Sequence, residues 1–252
     1  MSATWRNALS LLLLIALARS APAAAAQLSV LASSAVSAAM QRLAPQFERD
    51  TGNTLAVQYD TTNALKTRID DGTTFDVAIL TAAASDALIS SGKILSAGSR
   101  PLARSGIGVV VRAGAPKPDI GSADAFKAAQ LSARSVAFTA NGARGTYLEA
   151  LLQRMGIAQS VNGKALRPQG GAVGELVARG DAELGVQQIS ELLPVSGISY
   201  VGPLPPEYQN YTVFSAALGA HATHARAGRA LIAFLSTPAA RQVFTANGME
   251  PP

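Results

Sequence analysis

Apolar residues fall along this chain in short runs, each followed by an amphipathic stretch. The first run is Leu28-Ser29-Val30-Leu31-Ala32, which reads as a buried strand. Ser33 and Ser34 follow, and then Val36, Ala39, Met40, Leu43 and Phe47 recur at helical spacing, so a helix is expected with Ser33 or Ser34 at its N-cap. The arrangement repeats. Leu55 to Tyr59 is a second strand, running into Asp60-Thr61-Thr62-Asn63 and a helix that carries Leu65 and Ile69 and closes at Gly72. Phe75 to Leu80 is a third, followed by a helix from Ala82 to Ser91 that ends at Gly92.

A second series begins at Ile107–Val111. Ser122 caps a helix through Ala129, and Ser135 to Thr139 is a strand that leads through Asn141-Gly142-Ala143-Arg144-Gly145-Thr146 into another helix. Tyr147, Leu148, Leu151, Leu152 and Met155 form the inward face of that helix. Leu166 to Gly171 precedes a helix from Val173 to Ala178, and Glu183 to Gln188 is a strand leading to a turn. An extended run at Tyr211–Leu218, a helix at Arg226–Leu235 and a helix opened by Thr237-Pro238 complete the series.

Strand alternating with helix means βαβ units on a mainly parallel sheet, an α/β fold. Ligands of such sheets sit at the C-terminal ends of the strands. The residues at those ends are Ser33, Ser34, Thr61, Thr62, Asn63, Arg144, Gly170, Gly171 and Gln188. Hydroxyls beside free backbone N–H groups form a site for an anion. An arginine, Arg144, stands at the mouth of its junction, and the paired glycines let backbone approach closely.

The amino terminus is read separately. Arg6, the apolar run Leu9–Ala18 and the small residues Ala23–Ala26 have the form of a cleavable signal peptide over residues 1–26, which places the remaining chain in the periplasm. Without that segment the formal charge falls from +5 to +3, because Arg6 and Arg19 leave and no acid does. The remaining basic residues form no run, so no nucleic-acid footprint is present. There is no cysteine to bridge, to acylate or to act as a nucleophile. His221 and His224 lie far in sequence from the strand-end serines, and no acid completes a metal motif around them. Asp60 can line a cleft, whereas Asp76, inside its strand, suits a structural hydrogen bond. The expectation is a binding protein, not an enzyme, with no catalytic residue, metal or cofactor assigned.

Four stretches carry a resemblance: Val30 to Ala35, Tyr59 to Ile69, Gly72 to Thr81, and Thr237-Pro238-Ala239-Ala240 to Gly248. They resemble the molybdate-binding periplasmic proteins of ABC transporters, within the type II periplasmic solute-binding fold. The resemblance implies two α/β lobes with the ligand cleft between them, residues 27–106 with 215–252 forming one and 107–214 the other. Crossing strands would lie near 106–112 and 211–218. The family's first hydroxyl contact falls at Ala35, so that Ser34 would substitute, and its second at Thr62. Two backbone contacts fall at Arg144 and near Gly170, and a tyrosine position is occupied by Gln188. The resemblance implies capture of a small anion and its delivery, as a monomer, to an ABC transporter permease. The anion would be a molybdate- or tungstate-like oxyanion or, since Arg144 would add a planar fork suited to a carboxylate and Gln188 an amide that can both donate and accept where the family has other groups, a small organic acid. Two other readings are a sensor that presents the anion to a membrane receptor kinase and a hydrolase on the same fold.

Overall fold

The structure, a computed structural model, describes residues 25–139, 142–168 and 172–252, leaving aside the side chains of residues 142–144 and 146. The expected signal peptide lies outside the described residues, apart from its last two. Two five-stranded sheets organise the fold. The first contains β1 (Gln27–Ser33), β2 (Thr54–Asp60), β3 (Val77–Thr81), β4 (Arg100–Ser105) and β10 (Thr212–Leu218) in the order β2-β1-β3-β10-β4. The second contains β5 (Ile107–Arg112), β6 (Val136–Phe138), β7 (Ala165–Leu166), β8 (Leu184–Gln188) and β9 (Ile198–Pro203) in the order β7-β6-β8-β5-β9.

The two orders are the same pattern. In each sheet three neighbouring strands are parallel, the fourth runs against them, and the fifth pairs antiparallel to the fourth. The reversed strand is β10 in one sheet and β5 in the other. The chain passes between the sheets at Gly106 and again through residues 204–211.

The side-chain alternation of β1 shows how each sheet is covered. Leu28, Val30 and Ala32 face a cluster with Met40, Leu43 and Phe47 of α1 (Ser37–Thr51), Leu231 and Leu235 of α9 (Ala225–Leu235) and Phe244 of α10 (Pro238–Ala246). Leu31 faces the other way, onto Leu65 and Ile69 of α2 (Thr62–Asp70) and Leu88 of α3 (Ala82–Ser90). In the second sheet, Val109, Val136 and Phe138 pack on Phe126 of α4 (Ala123–Ser132), Leu148 and Leu151 of α5 (Gly142–Arg154) and Val161 of α6 (Ala158–Asn162). Val110 and Ala137 pack on Val173 and Val177 of α7 (Val173–Arg179) and Leu192 of α8 (Ile189–Leu192).

The first helix differs from expectation. A 3-10 turn, Ser34–Val36, intervenes after β1, and Val36 is the N-cap of α1. Ser33 stands at the N-cap position of that turn with its side chain making no cap bond, and neither it nor Ser34 caps α1. Other hydroxyls do cap. Thr61, Thr81, Ser122 and Thr237 each accept from the N–H three residues on, at 3.1–3.4 Å. Pro238 takes the first helical position, as its fixed φ favours. α5 also starts earlier than expected, so that Arg144 stands in its first turn instead of in a loop.

Candidate functional site

The C-terminal ends of the parallel strands carry polar groups from both sheets. At the end of β1, Ser33 is buried and Ser34 is half-buried; the Ala35 methyl lies in the core, so that this residue offers a ligand only its backbone. At the end of β2, the Asp60 carboxylate accepts from the Thr61 N–H at 2.7 Å. The Thr61 hydroxyl holds the Ala64 N–H, while the buried Thr62 Oγ1 has no hydrogen-bond partner. Asn63 faces solvent.

In the second sheet, the Thr139 hydroxyl just past β6 is buried and unpartnered. At the end of β8, Gln188 is fully buried with neither Oε1 nor Nε2 paired, and the Ser190 Oγ two residues on is likewise unpaired. Buried polar groups are nearly always hydrogen-bonded, and leaving one unpaired costs roughly 1–3 kcal/mol. Four such residues stand at or just past strand ends, and Ser85, Gln130 and Gln187 each hold an unpaired buried polar atom as well. Thr139 and Ser190 were missed from the sequence, where nothing separates their hydroxyls from the caps. The side chain of Arg144, and Gly170 and Gly171 altogether, lie outside the described residues.

An open groove of about 660 Å³ runs between the two α/β units. Ser34 and Ser37 line it from one unit, and Ser190, Glu191, Ala172 and Glu175 from the other. The volume falls within the roughly 300–1,000 Å³ usual for organic ligands. Helix α8, which begins beside Gln188, packs on the 3-10 turn at Ser34–Val36 and so ties the two units across the groove.

Asp76 proves structural, as expected. Its carboxylate accepts from the Ser29 and His224 N–H groups at 3.0 and 2.7 Å and lies 3.2 Å from His224 Nδ1. Burial alone would push its pKa up; the His224 and Ser29 hydrogen bonds and the His224 ring hold it below the ordinary carboxylate value. Among the described residues there is no cluster of His, Cys, Asp and Glu suited to a metal ion.

Known proteins share this architecture. The periplasmic molybdate-binding protein of Azotobacter vinelandii aligns with a TM-score of 0.76 at 18% identity, over 89% of this chain and 99% of that one. The sulfate-binding protein of Mycobacterium tuberculosis aligns with a TM-score of 0.72 at 18% identity, over 90% and 87%. At such identities the likeness is one of fold: two lobes with a cleft between them. A Pseudomonas protein named aconitate isomerase is 37% identical over 242 residues, 92% of each chain. The profile described as "Bacterial extracellular solute-binding protein" matches residues 28–250, and the chain belongs to that family.

Proposed function

We propose that the protein captures a small polycarboxylate of the aconitate kind in the cleft between lobe one (27–106 with 215–252) and lobe two (107–214). The observation that carries this reading is Gln188. Its buried amide presents an unpaired donor and an unpaired acceptor side by side. A bare tetrahedral oxyanion offers only acceptors and leaves Oε1 unmatched. An organic acid with a protonated carboxyl or a hydroxyl satisfies both ends. The Thr62 and Thr139 hydroxyls contribute from either side, with Ser33 and Ser34 near the first. From the sequence, Arg144 is expected to add a carboxylate fork and Gly170-Gly171 a close backbone approach. The bound acid is handed, in the periplasm, to an ABC transporter permease by a monomeric carrier.

A second reading is favoured by the 37% identical aconitate isomerase. In it the same cleft converts the bound acid. A base takes a proton from the methylene carbon, the electron pair spreads over the conjugated carboxylates, and the proton returns to the far alkene carbon after rotation. Asp60, at the end of β2 opposite Ser33, is the carboxylate this reading uses.

One experiment separates the readings. The protein is titrated with cis- and trans-aconitate, citrate, succinate, molybdate and sulfate, with melting temperature and proton NMR followed together. A ligand at 100 times its Kd stabilises by about 2.7 kcal/mol. A shift with polycarboxylates and unchanged aconitate spectra is the expected result. Conversion of one isomer into the other that Asp60→Asn abolishes establishes the isomerase reading, and a shift with molybdate or sulfate alone overturns both.

A further inference from the structure

The two crossings between the sheets are joined by one side chain. Gln209, in the second crossing, accepts from the Ile107 N–H at 2.7 Å and donates to the Ile107 carbonyl at 2.9 Å. Its Oε1 also accepts from the Asn210 N–H at 3.0 Å. The fit is close, because a Cβ placed on Gly106 would lie 3.1–3.2 Å from the Gln209 amide atoms.

What Gln209 grips is the strand paired with the one that ends in Gln188. Ile107 stands opposite Gln188 in the β5–β8 ladder. The next N–H, of Ile189, donates to the Gly106 carbonyl at 3.0 Å, and the Ser190 N–H reaches Ser105 Oγ at 3.4 Å. A movement of residues 105–107 therefore displaces Gln188 and Ser190 together, both of which carry buried, unpaired side-chain atoms.

We propose that Gln209 is a positioning residue: by holding the Ile107 peptide it sets where Gln188 and Ser190 stand toward the ligand. It touches no ligand itself. The proposal rests on the reading of Gln188 as a ligand contact, and adds that affinity is set partly from outside the cleft, at the crossing of the chain.

Amide hydrogen exchange of the ligand-free protein tests it, comparing wild type with Gln209→Ala and Gln209→Glu. In Gln209→Ala, exchange at Ile107, Ile189 and Ser190 should quicken by about tenfold, while Val30 and Ala137, in the two sheet interiors, keep their rates. Gln209→Glu retains the acceptor for Ile107, and Leu204 N–H still serves the Ile107 carbonyl; its exchange should stay near wild type. Affinity for trans-aconitate should fall by about tenfold in Gln209→Ala, equivalent to about 1.4 kcal/mol, and recover in large part in Gln209→Glu. Unchanged exchange at Ile189 and Ser190, or wild-type affinity in Gln209→Ala, overturns the proposal. If wild-type protein binds no carboxylate, the polycarboxylate reading fails by itself, and the exchange pattern still decides whether Gln209 places these residues.

Discussion

The two sheets have one strand order but put their strand-end hydroxyls to different uses. In the first, the threonines that end β3 and follow β2 are bound up in their helices: Thr81 and Thr61 each hold an N–H of the turn they start. In the second, Thr139, Gln188 and Ser190 hold nothing. Thr62 is the exception on the first side. The same topology therefore yields one unit whose polar ends mainly build structure and one whose polar ends are left unpaired. On the proposed reading, selection of the ligand falls chiefly to the second.

The comparison can be broken by mutation. The largest expected effect on stability lies in the first unit. Asp76→Ala strips the acceptor from the Ser29 and His224 N–H groups and should cost about 3 kcal/mol, read as a lowered denaturant midpoint. Its pH dependence has a definite sign. The folded pKa lies below the unfolded one, so the contribution is fully present above the ordinary carboxylate range. It is lost as pH falls through the depressed folded value. Wild-type stability should fall there more steeply than that of Asp76→Ala, in denaturant curves taken across the acid range.

In the second unit the signs should invert. Gln188→Leu removes an unpaired buried amide, so the ligand-free protein should gain about 1 kcal/mol while ligand affinity drops at least about tenfold. Paired calorimetric melts with and without aconitate read both at once. A destabilised, normally binding Gln188→Leu protein would erase the contrast between the units.

Smaller still is the effect of the adjacent threonines. Thr61→Ala should cost about 1 kcal/mol through the lost cap and change affinity little, whereas Thr62→Val should weaken binding with stability kept. The smallest effect belongs to Arg104, which pairs with Glu250 at 2.9 Å with both side chains partly exposed. Arg104→Ala should cost under about 1 kcal/mol in the same melts.

This pair of threonines shows where reading the sequence stops. The buried strands were plain, because Val30-Leu31-Ala32 or Val109-Val110-Val111 has no polar residue to place elsewhere. The βαβ order and the Thr237 cap with Pro238 followed from spacing and backbone chemistry alone. The edges were not plain. β4 carries Arg100 and Pro101, β9 ends in Gly202 and Pro203, and β7 is two residues long, so that none shows a buried run. At the site, the sequence brought Thr61, Thr62 and Gln188 forward, but whether a hydroxyl is engaged by its own helix depends on side-chain geometry. That geometry separates Thr61 from Thr62 and adds Thr139 and Ser190. At Ser33 it removes the expected cap, because a 3-10 turn lies between the strand and its helix.

The reversed strands also fix an order of assembly. The second sheet is built from one continuous stretch, β5 to β9, whereas the first lacks β10 until residues 212–218 arrive. Until then β3 has an open edge and β4 has no neighbour in its sheet. A chain emerging from its amino terminus therefore completes its second sheet before its first, since each sheet closes only when its last strand is present. Any truncation that removes β10 leaves the unit made earliest as the one that cannot finish.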